Sequence, residues 1–105
     1  MNQLNELPCK EVFPGFIGRF IHGNSSTVAF WEIKAGSRVP LHSHVHEQVT
    51  HIIEGELQMN IGGVKYNFTA GTVHVIPTNM EHDAFAITNC KVIDVFTPVR
   101  EDYRF

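Results

Sequence analysis

Gly36 to Gly55 reads G-S-R-V-P-L-H-S-H-V-H-E-Q-V-T-H-I-I-E-G, two short apolar-rich runs framed by glycines and joined by a histidine-rich link. His42 and His44 stand one residue apart, and Gln48 follows four residues later. Alternate side chains of a strand share a face, so both imidazoles can address one ion about 2.0–2.1 Å away. Two ligands on one strand hold a metal weakly. Gln48, just past the short 45–47 connection, and His82, in the distant segment I-P-T-N-M-E-H, are the candidates to complete the set.

The segments flanking this stretch carry the same punctuation. Glycines at 15, 18, 23, 36, 55, 62, 63 and 71 separate short runs rich in Val, Ile, Phe and Thr, with no long helical stripe between them. Strands are expected over 16–22, 27–33, 39–44, 48–53, 57–61, 64–69, 73–76, 82–87 and 91–96. Gly62-Gly63 joins two alternating runs and predicts a tight hairpin, since both residues accept positive φ. So many short strands with close turn signals point to an all-β sandwich or barrel. Residues 2–5 are expected to fray.

With 105 residues, 43% of them hydrophobic, the chain is expected to form one domain over 1–105 with a core of its own. A formal charge of −3 with mixed signs gives no footprint for nucleic acid or a membrane surface. Cys9 and Cys90 lie outside any Cys-x-x-Cys spacing and read as reduced thiols. No run approaches the ~18 apolar residues of a membrane span, and the first residues lack a basic-then-apolar leader, so a cytoplasmic protein is expected.

The spacing G-x5-H-x-H-x3-Q-x6-G, from Gly36 to Gly55, resembles the first motif of the cupins, with Gln48 where most cupins place a glutamate. Gly71, Pro77, Asn79 and His82 resemble the second motif, with Asn79 in place of its usual glycine and Ala86 in place of its closing asparagine. P-G-F-I-G-R-F-I-H-G from Pro14 and C-K-V-I-D-V-F-T-P-V-R-E-D-Y-R from Cys90 narrow this to the small single-domain cupins of pectin degradation. The resemblance implies a cupin barrel, a double-stranded β-helix or jelly roll. It also implies conversion of ring-closed 4,5-unsaturated uronates, the monosaccharides left by pectate and alginate lyases, into linear keto forms.

In that frame His42, His44, Gln48 and His82 are the expected ligands of one divalent metal. Donor softness admits Zn, Ni, Fe, Co or Mn. Taken alone, the histidine pair reads as ordinary hydrogen-bonding residues and Gln48 as a solvated edge residue; the glycine frame favours the metal. A neutral amide beside three neutral imidazoles leaves the ion's charge uncompensated, which suits an anionic ligand. His46 reads as exposed, and His22, His51 and His74 stand outside the shell.

Asp94 shares a face with Val92 and Phe96, so an apolar face carries a carboxylate that is costly to bury unpartnered. It reads either as a structural Asp tied to hydroxyls or Arg100, or as a proton-transfer residue. Arg100 offers a two-pronged donor for a substrate carboxylate, or a surface ion pair with Glu101 or Asp102. Phe96 reads as core or as a wall against a sugar ring. The uronate-linearising cupins have a D-x-F-x-x-x-R pattern near the metal pocket, which favours the functional reading of Asp94, Phe96 and Arg100. The competing functions are an Fe(II)-dependent dioxygenase and a non-catalytic sugar sensor. A homodimer is expected, with the aromatic stretch Phe13, Phe16 and Phe20 as one contact.

Overall fold

The computed structural model describes residues 2–105. Among them lie ten strands: β1 (Cys9–Phe13), β2 (Phe16–His22), β3 (Thr27–Ile33), β4 (Arg38–His42), β5 (Glu47–Glu54), β6 (Glu56–Ile61), β7 (Val64–Thr69), β8 (Val73–Ile76), β9 (His82–Ala86) and β10 (Cys90–Thr97). They form a six-stranded sheet, β1-β2-β3-β10-β5-β8, and a four-stranded sheet, β4-β9-β6-β7. Every pairing is antiparallel. From β4 onward the chain passes repeatedly from one sheet to the other, the connectivity of a jelly-roll barrel. The all-β expectation holds.

Period-2 alternation makes each strand two-faced. β6 alternates half-buried and buried residues, and β10 buries Cys90, Val92, Asp94 and Phe96 on one side. Trp31, Ile33, Ile52 and Val92 from the large sheet meet Val39, Leu57, Met59 and Ala84 from the small one in a common core. Burying a side chain such as Ile52 contributes roughly 1.5–3 kcal/mol relative to leaving it in water. The Gly62-Gly63 hairpin forms as expected, with φ of 56° and 83° and Ile61 paired to Val64.

Three expectations change. β1 is an additional edge strand; its first three residues, Cys9, Lys10 and Glu11, are exposed, so it carries no apolar alternation to betray it. Of residues 2–5, expected to fray, Leu4 and Asn5 lie in a 3-10 turn over Leu4–Glu6, closed by a Leu7 N–H to Leu4 carbonyl bond of 3.1 Å. The strand expected over 39–44 stops at His42. Val39 pairs with Ala84 but His42 with His82, so Pro40 and Leu41 together oppose Asp83 alone. Pro40 has no N–H for the ladder, and a bulge accommodates it. The bulge sets His42 directly across from His82 and leaves His44 in the link to β5.

Phe16 is core, and Phe13 and Phe20 pack against it, Phe20 edge-on to Trp31 at 5.4 Å between ring centres. Phe16 is thus taken up by the core, while Phe13 and Phe20 keep part of their surface exposed. Cys9 and Cys90 are both free thiols, the first exposed and the second buried. Among the described residues no helix is long and apolar enough to cross a membrane.

Candidate functional site

The candidate site lies at one mouth of the barrel, where β4, β9 and the β4–β5 link meet the inner face of the large sheet. His42, at the end of β4, and His82, opening β9, face each other with ring centres 4.3 Å apart. His44 closes the triangle from the link, 4.9 Å from His82 and 5.8 Å from His42. One ring nitrogen from each lies within 4.8 Å of the other two. Tetrahedral ligands at ~2.1 Å stand about 3.4 Å apart, so small side-chain rotations close this set on an ion.

The tautomers are decided by the backbone. Nδ1 of His42 meets the Pro40 carbonyl at 2.8 Å, Nδ1 of His44 the His46 carbonyl at 2.9 Å, and Nδ1 of His82 the Met80 carbonyl at 2.8 Å. A carbonyl oxygen only accepts, so each Nδ1 carries the hydrogen and each neutral ring turns a bare Nε2 lone pair toward its neighbours. Burial pushes the His82 pKa down to about 4. Burial, followed by the charge of Arg100, lowers that of His44. Neutral imidazoles with fixed Nδ1–H bonds are the form a divalent metal needs.

Gln48, buried at the start of β5, brings Oε1 to 3.1 Å from Nε2 of His44. Its Nε2 donates to Thr50 Oγ1 at 2.9 Å, and Thr50 Oγ1 donates to Asp94 Oδ1 at 2.7 Å. Two acceptors therefore face each other across 3.1 Å, an arrangement that a shared cation relieves. The donor set fits a divalent metal held by His42, His44 and His82, with Gln48 placed to join them.

The His44 loop is tied across the mouth by the Asn79 N–H, which donates to the His44 carbonyl at 2.8 Å. Asn79 has φ of 61°. That left-handed conformation explains why the second motif usually has glycine here, and Asn is among the side chains that tolerate it.

Asp94 sits in the barrel interior on β10, across from Thr50 on β5 and Ala29 on β3. The small Ala29 leaves room for the Trp31 indole, whose Nε1 donates to Asp94 Oδ2 at 3.0 Å. Burial pushes the Asp94 pKa up to about 6, against the pull of the Thr50, Gln48 and Trp31 hydrogen bonds. Phe96 stands next on the same face, its ring 5.7 Å from that of His44. Asp94, Phe96, Arg100 and the histidine cluster line one cavity, open on one side, with about 60 Å³ of inner room.

Arg100 is buried, its guanidinium 4.7 Å from the Phe96 ring centre and 4.0 Å from that of Tyr103. Its Nε and Nη2 donate to Asp102 at 3.0 and 2.6 Å, and this fork holds the Asp102 carboxyl below the usual range. The ion pair with Asp102 is therefore present, and it uses one edge of the guanidinium; the Nη1 edge is free of it. The Arg100 N–H also donates to the buried Thr27 hydroxyl at 2.9 Å, which anchors the tail.

His46, expected to be exposed, is half-buried beside His44 and Phe96, its Nδ1 shielded from solvent with no hydrogen-bond partner among the described residues. His51 is on the outer face of β5, and His74 packs against Tyr66 and Phe68 away from the cluster. Thr50, Trp31 and Tyr103 join the site without having been singled out in the sequence, whereas Asp102 was named there as one of two candidate ion-pair partners of Arg100. Thr50 had one signal, its place two residues after Gln48 on the same strand face.

An antiparallel two-sheet barrel with three imidazoles converging at one mouth defines a barrel built around a metal-type site. Residues 29–96 match the family described as Cupin domain, and the chain belongs to that family. It is similar to an RmlC-like cupin from Shewanella frigidimarina NCIMB 400, with 26% identity over 98% of this chain and 94% of that one and a TM-score of 0.92. KdgF from Halomonas sp. is also 26% identical, over 93% of this chain and 94% of that one, with a TM-score of 0.87. Ectoine synthase from P. lautus, 21% identical over 95% of this chain and 78% of that one, shares the fold at a TM-score of 0.84. No curated protein matches the sequence.

Proposed function

We propose that this cupin is an enzyme that converts ring-closed 4,5-unsaturated uronate monosaccharides, from pectin or alginate, into linear keto-deoxyuronates. The observation that carries the reading is one cavity that holds a three-histidine donor set, a buried carboxyl whose pKa burial pushes up to about 6, and an arginine. The resemblance to the uronate-linearising cupins and the likeness to KdgF support it.

The reaction is an isomerisation. The hemiacetal O–H loses its proton, the bond from the anomeric carbon to the ring oxygen breaks, and that oxygen becomes an enol. The enol O–H then gives up its proton while C4 gains one. No electrons are exchanged and no water is consumed. A divalent metal bound by His42, His44, His82 and Gln48 supplies positive charge that favours oxyanions. Arg100, held by Asp102 and stacked on Phe96 and Tyr103, offers its remaining N–H groups to the uronate carboxylate. Phe96 forms a wall beside the sugar. Asp94, with a pKa of about 6, exchanges protons readily at neutral pH and moves the proton between oxygen and carbon. The inner room admits the reacting end of a sugar, and the rest occupies the mouth.

Incubation with unsaturated galacturonate or mannuronate, followed by loss of the double-bond absorbance, tests the reading. The expected result is metal-dependent decay that Asp94→Ala slows strongly; an unchanged rate in that variant removes Asp94 from the chemistry. Oxygen uptake instead of isomerisation would favour the Fe(II) dioxygenase, and saturable binding without turnover the sensor. The free thiols fit a cytoplasmic setting.

The partner in assembly is a second copy. Ile21, Val28, Val95, Val49 and Val75 align in one cross-strand row on the outer face of the large sheet. Phe30, Ile93 and Val73 lie in the adjacent row, and Glu32, Lys91 and Glu54 edge it. An apolar centre with a rim of both charge signs is self-complementary across a twofold axis. Light scattering at micromolar concentration should give a dimer and Val95→Glu a monomer; a monomeric parent protein refutes this.

A further inference from the structure

The Gln48 side chain has two ends of similar size, and only its oxygen can ligate a metal as a neutral amide. Which end faces the imidazoles is decided by what holds the other end. The Gln48 NH2 group lies against Thr50 Oγ1 at 2.9 Å, and Thr50 Oγ1 lies 2.7 Å from Asp94 Oδ1. Gln48, Thr50 and Asp94 are all buried, so water does not substitute for these bonds. A carboxylate accepts and does not donate, so the single hydroxyl hydrogen of Thr50 points to Asp94. The lone pairs of Thr50 are then left for the Gln48 NH2 group, and Oε1 turns to His44. The strand register makes the arrangement possible: 48 and 50 share a face of β5, and Thr50 is directly across from Asp94.

We propose that Thr50 is a positioning residue of the metal centre. Its hydroxyl, aimed by Asp94, locks the Gln48 amide with the oxygen toward His42, His44 and His82 and passes the polarisation of the Asp94 carboxylate to that oxygen. This rests on the metal-site reading above and deepens it. Hydrogen-bonded chains in a dry interior polarise one another, and outer partners of metal ligands tune affinity by orienting them. In a site whose ligands are all neutral, this chain is a hydrogen-bonded route by which protein negative charge reaches one of the metal's donor atoms. It also joins the candidate acid–base group to the candidate ligand through one side chain, so the two halves of the site share a single geometry.

The test is metal affinity in the full-length protein. Thr50→Val keeps the shape of the side chain and deletes both hydrogen bonds; Thr50→Ser keeps them. Apo protein is titrated with Co2+ and Zn2+ in competition with a chromogenic chelator, and the visible Co2+ spectrum is recorded as a readout of the ligand set. Thr50→Val is expected to weaken both ions roughly 10- to 100-fold and to alter the Co2+ bands, with Thr50→Ser within about threefold of the parent. The same substitution made on Gln48→Glu is expected to cost little, because a carboxylate presents an oxygen whichever way it turns; this double-mutant comparison separates orientation from general damage. If Thr50→Val does not fold by circular dichroism, Thr50→Ala, which removes the hydroxyl without an added methyl, makes the same comparison.

Parent-like affinity and spectrum in the hydroxyl-free variant overturn the proposal, as does an equal loss on the Gln48→Glu background. A parent protein that binds neither ion overturns it together with the metal reading. A parent that binds metal but leaves unsaturated uronates untouched sinks the substrate assignment alone, and the Thr50 comparison still decides this proposal.

Discussion

Asp94→Asn provides a stability measurement whose pH dependence is dictated by the barrel interior. In the unfolded chain Asp94 titrates near the ordinary carboxylate value of 3.8; in the folded metal-free protein burial pushes it up to about 6. Between those values the folded state holds a proton that the unfolded state has lost. Stability therefore falls as pH rises from about 4 to about 6, and the full penalty is present above the folded pKa. A displacement of about two units corresponds to about 3 kcal/mol. Asparagine stays neutral throughout, so its own cost, one amide hydrogen set against the Thr50 or Trp31 donor, is constant with pH. The stability of Asp94→Asn relative to the parent should improve by about 2 kcal/mol between pH 4 and pH 7, since part of the full term is already expressed at pH 4. Urea titrations of both proteins in chelator, at half-unit pH steps, measure this. Taking the difference removes the opposing contribution of His82, whose depressed pKa raises stability with pH over much the same window. A difference that stays flat from pH 4 to pH 7 refutes the assignment of a burial-raised pKa to Asp94.

Zn2+ or Ni2+ at about 100 times its dissociation constant should stabilise the parent by about 2.7 kcal/mol, visible as a rise in melting temperature by scanning fluorimetry that chelator reverses; His82→Ala should abolish the shift. Gly55 has φ of 91°, and a Cβ there would stand 2.2 Å from the Asn89 carbonyl oxygen. Gly55→Ala should cost about 2–4 kcal/mol in urea, whereas Gly63→Ala, at similar φ but with open space around it, should cost about 1 kcal/mol. Asp102→Asn frees the Arg100 fork, so steady-state kinetics on an unsaturated uronate should show KM raised roughly three- to tenfold with kcat little changed. A fall in kcat at constant KM would place Asp102 in the chemistry instead.

The all-β class, the Gly62-Gly63 hairpin and nearly every strand were legible because period-2 alternation and glycine punctuation are local properties of the chain. β1 was not, since an exposed edge strand with Lys10 and Glu11 has no buried face to alternate with. The ligand candidates were legible from spacing, but the spacing reasoning put His42 and His44 on one strand. In the folded chain Pro40 forces a bulge, His44 leaves the ladder, and the cluster is assembled across strands.

By itself the sequence determined which side chains each strand offers to each face, and with them the amide of Gln48 and the Asp94-Phe96 pair. Tertiary structure alone decided that Thr50 stands across from Asp94, that Trp31 reaches over Ala29 to the same carboxylate, and that Asp102 occupies one edge of Arg100. The physical reason is that alternation is set by backbone geometry within a few residues. Register between strands, and the burial that moves the Asp94 pKa, depend on the packing of both sheets at once.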